Sequence, residues 1–233
     1  MIRVFIGFDP REAVAYHACC QSIIENTSEP VSITPLHLPQ IRKMLDYSAG
    51  RRDGSNDFIY SRFLVPALCD FQGWALYLDG DMVVRGDLAE LWGLRDVTKD
   101  VHVVRHDYVT RHPVKYLGAK NESYPRKNWS SVILWNCASF PNRVLTPEFV
   151  ASRDGAFLHR FKWLYDQRIA ELPPEWNWLV SEYEANPDAK LLHYTLGIPA
   201  FAEYADCDHA AEWRSARDAA FHCDDAQESR AAA

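Results

Sequence analysis

The chain has no apolar run near the roughly 18 residues that a membrane-crossing helix requires, which argues against a transmembrane span. Its six cysteines, at 19, 20, 69, 137, 207 and 223, include no C-x-x-C pair, so a zinc framework or thioredoxin-like motif is set aside. Basic charge is in deficit: 25 Lys and Arg face 32 Asp and Glu, a net charge of −7. That balance argues against non-specific binding to nucleic acid, although clusters such as "RKMLDYSAGRR" and "YPRK" can hold phosphates locally. The opening "MIRVFIGFDPREA" lacks the apolar core and small-residue cleavage site of a secretory signal. Reduced cysteines and a cytoplasmic location are therefore expected. There is also no internal repeat and no dividing linker. With 233 residues, 48% of them apolar, the chain reads as one soluble unit with a single core. Its expected extent is 1–205, followed by a helical or frayed tail over 206–233.

What is present has a clear order. "RVFIGFD" reads as a strand and "PREAVAYHACCQSIIENT" as a helix, with Pro10 and Glu12 suited to its first turn. "VSITPLHL" reads as a second strand. This β-α-β beginning predicts an α/β fold, a mostly parallel sheet of Rossmann type with helices on both faces. "QIRKMLDYSAGRRDGSND" reads as a loop and "FIYSRFLVPALCDF" as helical. Strands follow in "WALYLD", "VHVVRHD" and "SSVILWN", with a short helix in "LAELWGL". A long loop rich in aromatic and basic residues separates the last two strands, and such loops are often functional. The stretch 146–172 reads as mostly helical, "PPEWNWLVSEYEANPDAK" as a loop, and "LLHYTLGIPAF" as a strand entering a glycine turn. The final "DDAQESRAAA" reads as frayed.

The segment "ALYLDGD" ends a buried strand on two carboxylates, Asp79 and Asp81, whose repulsion and desolvation both cost energy. In an open α/β sheet, ligands gather at the carboxyl ends of strands, where Asp9, Asp79, Asp81, Asp107, Asn136 and His193 are expected. A divalent cation between the two aspartates makes them stable together. Oxygen ligands suit Mg²⁺ or Mn²⁺, and an imidazole from His193 shifts the balance toward Mn²⁺. The plain alternatives are a solvated D-x-D turn, a core-edge histidine and an Asp9 that caps the helix after it.

In order along the chain, "FIGFD", "YSRFLVP", "YLDGD", "YDQRI" and "HYTLGIP" resemble motifs of the retaining GT-A-fold glycosyltransferases of the family-eight type, the galactosyltransferase and glycogenin group. The resemblance runs from about residue 2 to 201. It implies Mn²⁺ (or Mg²⁺) held by Asp79, Asp81 and His193 on the diphosphate of a nucleotide sugar, with UDP as the guessed nucleotide. It places Asp9 and Arg62 at the donor and Asp166 and Gln167 at the catalytic centre; Phe8, Arg11, Gly80, Ser131 and Gly197 are further donor-site candidates, and Asp107 is a candidate for sugar hydroxyls or, equally, a cap of its loop. Two departures stand out. "NWSSVILWN" has Trp129 and Ser131 where the family has Asn and Gly. "HYTLGIPAF" lacks the family's phosphate-binding lysine, for which Arg126 or Lys127 is a candidate replacement.

The implied reaction moves a sugar from a nucleoside diphosphate to a hydroxyl, through a centre with oxocarbenium character. Asp166 or Gln167 is expected to stabilise it from the face opposite the leaving group. The acceptor, whether glycan, lipid-linked or protein, is not legible. A sugar nucleotidyltransferase is disfavoured because no glycine-rich loop follows the first strand. A catalytically weak nucleotide- or sugar-binding protein is the alternative from another class. A hydrolase is disfavoured because Asp79 and Asp81 are too close in sequence for its carboxylate spacing of roughly 5–9 Å.

Overall fold

The computed structural model describes residues 1–47 and 56–221. Strand β1 (Ile2–Gly7) is followed by a one-turn 3₁₀ segment and helix α1 (Ala13–Glu25), then β2 (Val31–Leu36) beside β1 in parallel. Helix α2 (Leu38–Leu45) occupies the start of the segment expected to be a loop. Leu38, Ile41 and Leu45 form its apolar stripe, with Pro39 in its first turn. The "QIRKML" reading began inside that turn and so cut off the start signal. Residues 48–55 of the same expected loop lie outside the described residues.

A 3₁₀ turn over Ser61–Leu64 runs into the short helix α3 (Val65–Leu68), and β3 (Trp74–Leu78) follows. Next come β4 (Met82–Val84), α4 (Leu88–Gly93) and β5 (Val101–Val103). The long loop contains a small hairpin, β6 (Val114–Lys115) with β7 (Ala119–Lys120), before β8 (Val132–Asn136). Two short helices, α5 (Pro147–Ser152) and α6 (Gly155–His159), replace the single long helix expected over 146–172. They are separate because Asp154 leaves helical geometry and caps α6 by accepting from the Phe157 amide. The same stretch ends in a strand, β9 (Ile169–Glu171). β10 (Trp178–Leu179), β11 (Leu191–His193) and α7 (Ala210–Phe221) complete the chain.

The main sheet has the order β2-β1-β3-β8-β5-β9, and β8 alone runs antiparallel to its neighbours. That reversal carries Asn136 to the edge opposite Asp79, where it pairs with Trp74 at the start of β3. Asn136 is therefore not at the ligand edge, contrary to expectation. Hydrophobic periodicity reports which residues are buried, not which way a strand runs.

Both sheet faces are covered. Phe5, Tyr77, Val103, Ile133 and Trp135 pack on one side with Phe63 and Phe161. Val4, Ile6, Leu76, Leu78 and Leu134 pack on the other with Cys19 and Ile23 of α1. A second sheet, β10-β11-β4, joins α1 and α7 in a third cluster centred on the fully buried Trp213. Residues 210–221 are thus packed helix, while the "DDAQESRAAA" expected to fray lies outside the described residues. Truncating Trp213 to Ala is expected to lower stability by about 3–5 kcal/mol in urea unfolding. A loss under about 1 kcal/mol would mean that α7 merely rests on the surface.

Candidate active site

After β3 the chain delivers Asp79, Gly80 and Asp81 before β4 begins. Only glycine fits between the carboxylates, because a Cβ on residue 80 would stand 2.4 Å from the Gly7 carbonyl oxygen. Pairing of β4 with β11 sets His193 opposite Met82, and the Tyr194 amide donates to the Asp81 carbonyl at 3.0 Å. Strand register thus brings together residues more than a hundred positions apart.

The imidazole is oriented from behind. His193 Nδ1 lies 3.0 Å from Asn177 Oδ1. The Asn177 amide nitrogen donates to Ser131 Oγ (2.9 Å) and to the Asn128 carbonyl (3.3 Å), which fixes its oxygen toward the ring. Nδ1 therefore carries the proton, and Nε2 turns its lone pair toward the carboxylates. Nε2 is 3.4 Å from Asp81 Oδ1 and 3.9 Å from Asp79 Oδ2. One ligand atom from each of the three residues lies within 4.8 Å of the others.

The two aspartates have different neighbours. Arg62, buried in the 3₁₀ turn, places Nη1 2.9 Å from Asp79 Oδ1 and also donates to the Ser130 carbonyl at 2.8 Å. Its guanidinium lies over the rings of Tyr77 (5.1 Å) and Phe58 (5.5 Å), and the Tyr77 hydroxyl donates to Asp79 Oδ1 at 2.5 Å. Burial pushes the Asp79 carboxyl up, with Arg62 opposing. Burial penalises the charged form of Asp81 as well. Asp81 Oδ1 is buried without a hydrogen bond. Two carboxylates, one imidazole lone pair and an orphaned oxygen fit a hard divalent cation that tolerates nitrogen.

The triad opens into a cavity of about 460 Å³, which is also lined by Arg62 and Ser131. Five predicted residues therefore meet: Arg62, Asp79, Asp81, Ser131 and His193. Gly80 adjoins Asp9 and Asp81 in a small neighbouring niche. Asp9 caps the 3₁₀ turn after β1, accepting from the Arg11 amide and side chain at 2.9 Å, and Arg11 is thereby engaged as its partner. Phe8 lines a separate shallow cleft with Tyr16 and His37. Asp107 is exposed and lines none of these cavities. Gly197 is needed elsewhere, since a Cβ there would stand 2.3 Å from the Tyr204 ring.

Asp166 and Gln167 lie away from the triad cavity. They precede β9, at the edge where that strand begins. The Asp166 side chain is 75% exposed and paired with Arg126 at 2.6 Å. Arg126 and Lys127 do not face the cavity either, and Lys127 is turned inward to Asn121 Oδ1. The lysine in the cavity is Lys115, whose ammonium burial pushes down while Asp81 and Asp79 draw it up. The loop is docked there by the Tyr116 amide, which donates to the Leu196 carbonyl at 2.7 Å, and by Tyr116 stacking on Phe201.

Sequence reasoning also missed Ser130, Asn177 and His159. Ser130 Oγ is 2.6 Å from His159 Nδ1, and burial keeps that imidazole neutral by pushing it well below its usual range. The length and basic character of the loop pointed toward Lys115, but nothing in the sequence selected it. "WN" within "PEWNW" gave no signal of its own.

Several solved glycosyltransferases share this architecture. The galactosyltransferase LgtC, solved with donor and acceptor sugar analogs, matches 98% of this chain and 99% of its own at a TM-score of 0.61 and 13% identity. GlyE of Streptococcus pneumoniae TIGR4 (TM-score 0.60, 16% identity) and the bifunctional WbbM (0.59, 18%) each match 93% of this chain. This chain spans 61% of the GlyE chain and about half, 49%, of the WbbM chain. The fold is that of the GT-A glycosyltransferases. Protein CDI of Arabidopsis thaliana is 43% identical over 217 residues, covering 91% of this chain and 84% of that protein. The chain belongs to glycosyl transferase family 8, whose model matches residues 14–138.

A buried histidine behind the triad offers a check on the geometry. His106 has Nδ1 2.8 Å from the Tyr183 hydroxyl, and burial, with His193 nearby, pushes it down to about 3. Its folded value lies below the unfolded 6.5, so its stabilisation is present above pH 6.5 and is lost as pH falls toward 3. Between pH 6.5 and about 4, stability should fall more steeply in the wild type than in His106→Gln, read as urea midpoints. Parallel pH profiles would show that His106 is not buried neutral.

Proposed function

We propose that the protein is a metal-dependent hexosyltransferase, moving a sugar from a nucleoside diphosphate sugar, with UDP the first candidate, to a hydroxyl acceptor. One observation carries this reading: the Asp79, Asp81 and His193 ligand atoms, within 4.8 Å of one another, border a cavity that also holds cationic side chains. Mn²⁺ or Mg²⁺ held there supplies electrostatic stabilisation to a departing diphosphate. Arg62 is committed to Asp79, so Lys115 and Arg160 bring the further positive charge to the cavity wall. Lys115 thereby takes the place of the lysine missing after "HYTLG". Phe8, with Tyr16 and His37, forms an aromatic cleft suited to a nucleobase.

The stereochemical reading rests on the carboxylates. Among the described residues, those lining the cavity are Asp79, Asp81 and Glu122. The first two face the imidazole, and Glu122 is exposed and paired with Lys120. None is free to form a covalent glycosyl intermediate. In a retaining transfer, which the family resemblance implies, the acceptor hydroxyl then attacks from the leaving-group side. A cytoplasmic setting with reduced thiols belongs to the same proposal; Cys19, Cys20, Cys69, Cys137 and Cys207 are free. No described helix is long and apolar enough to cross a membrane.

Calorimetry with UDP and other nucleoside diphosphates, in Mn²⁺, Mg²⁺ or EDTA, tests the reading. UDP binding should require the metal and vanish in Asp81→Asn. Lys115→Ala should weaken it by about tenfold, or 1.4 kcal/mol. Nucleotide binding indifferent to metal and to Asp81→Asn, or no binding at all, would overturn the proposal.

A further inference from the structure

Among the described residues, the Lys and Arg side chains that line the triad cavity are Arg62, Lys115 and Arg160. Two of them belong to its metal end. Arg62 is paired with Asp79 and donates to the Ser130 carbonyl, and Lys115 stands within electrostatic reach of Asp81 and Asp79. Arg160 differs, because no described carboxylate pairs with it. Its Nε is buried without a hydrogen bond. The two Nη groups also make none to the described residues, but they keep access to solvent from a half-buried side chain.

The backbone beneath that guanidinium is held from two sides. The Arg160 carbonyl accepts from Arg126 Nη1 at 2.7 Å. His159, one residue earlier, has Nδ1 2.6 Å from Ser130 Oγ, and its ring packs edge-on to Phe63 at 5.1 Å. Ser130 is in turn bound to Arg62, which holds Asp79. A short run of contacts therefore ties Arg160 to the metal end before any substrate arrives.

The wall beside Arg160 is open. Gly155 and the exposed Ala156 line it, and a Cβ on residue 155 would meet nothing closer than the Tyr60 hydroxyl at 3.5 Å. Tyr124, also in the wall, stands within electrostatic reach of both Arg62 and Arg160.

A guanidinium with reachable Nη donors presents a planar fork that matches an oxyanion, and such charge-assisted bonds are about twice as strong as neutral ones. On the functional reading above, the diphosphate is met by the cation at the triad and by Lys115. Glu122, the remaining carboxylate of the wall, is exposed and paired with Lys120, so it leaves Arg160 uncompensated. A single guanidinium balances one carboxylate, whereas a phosphate monoester brings about −1.5 to −2 charges.

We propose that Arg160 selects a saccharide substrate that bears a carboxylate, its two Nη groups donating to the two carboxylate oxygens. The inference rests on the glycosyltransferase reading and names the substrate class of the same cavity. The carboxylate belongs either to the transferred sugar or to the acceptor, and the experiment separates the two sources.

Calorimetry with Mn²⁺ compares UDP-glucuronate with UDP-glucose. It also compares trigalacturonate with its neutral methyl ester, with and without UDP. Both pairs are measured on the wild type, Arg160→Gln and Arg160→Lys, with melting curves as the control for folding. In at least one pair the carboxylated member should bind the wild type about tenfold more tightly. Arg160→Gln should bring that ratio close to one, and Arg160→Lys, which keeps the charge without the fork, should retain part of it. A preference within the donor pair assigns the carboxylate to the transferred sugar, and one within the other pair assigns it to the acceptor.

No preference in either pair, or a preference that survives Arg160→Gln, would overturn the inference. So would an equal loss for both members of a pair, which would put Arg160 on the diphosphate instead. UDP binding is read on the same wild-type preparation. If UDP fails to bind, the donor reading falls, and the trigalacturonate pair without nucleotide decides the role of Arg160 by itself. If UDP binds with Mn²⁺ and neither pair discriminates, only the Arg160 inference falls.

Discussion

Two carboxylates buried side by side at the end of β3 are the constraint around which the rest of the site is arranged. Desolvating either one costs several kcal/mol, and bringing them together adds repulsion. The chain answers the first with Arg62, which is itself buried and so needs the Ser130 carbonyl and the faces of Tyr77 and Phe58. Asp81 receives no such partner. Its Oδ1 is buried without a hydrogen bond and lies 3.4 Å from His193 Nε2. The imbalance is built in by the fold: Gly80 allows the close approach to β1, and β4–β11 pairing fixes where His193 stands.

The two sheets divide the work. The six-stranded sheet, buried on both faces, is the rigid platform that carries Asp79. The three-stranded sheet supplies His193 and, just ahead of β10, Asn177. Between them the 108–129 loop is drawn down by Tyr116, so that Lys115 reaches the cavity from a segment with almost no regular structure. Charge in the cavity is therefore assembled from three independent elements, and none could form the site alone.

Much of this was legible in the sequence, for identifiable reasons. Strand runs ending in Asp9 and Asp79 and the "HYT" turn gave the platform and the triad, because buried β-rich runs and ligand-edge carboxylates are local signals. The direction of β8 was not local: "SSVILWN" reads the same in either sense, so Asn136 was placed at the wrong edge. The "DQ" dipeptide is a different case. Two residues carry too little context to say which side of a sheet they occupy, and Asp166 lies exposed ahead of β9. Lys115 was hidden because a loop's side chains are aimed by tertiary contacts such as Tyr116–Leu196, which leave no periodic trace.

The alternative of a site that is only a relic is weighed by the orphaned oxygen. A buried acceptor without a partner costs about 1–3 kcal/mol, a large share of a domain's net stability. Replacing Asp81 with a small neutral residue would remove that cost and part of the repulsion on Asp79. A chain with no use for a cation gains by that change, whereas this chain also maintains Asn177 to hold the His193 lone pair facing inward. An orphaned carboxylate oxygen beside an imidazole oriented by a second layer of hydrogen bonds is the arrangement that the proposed cation site calls for.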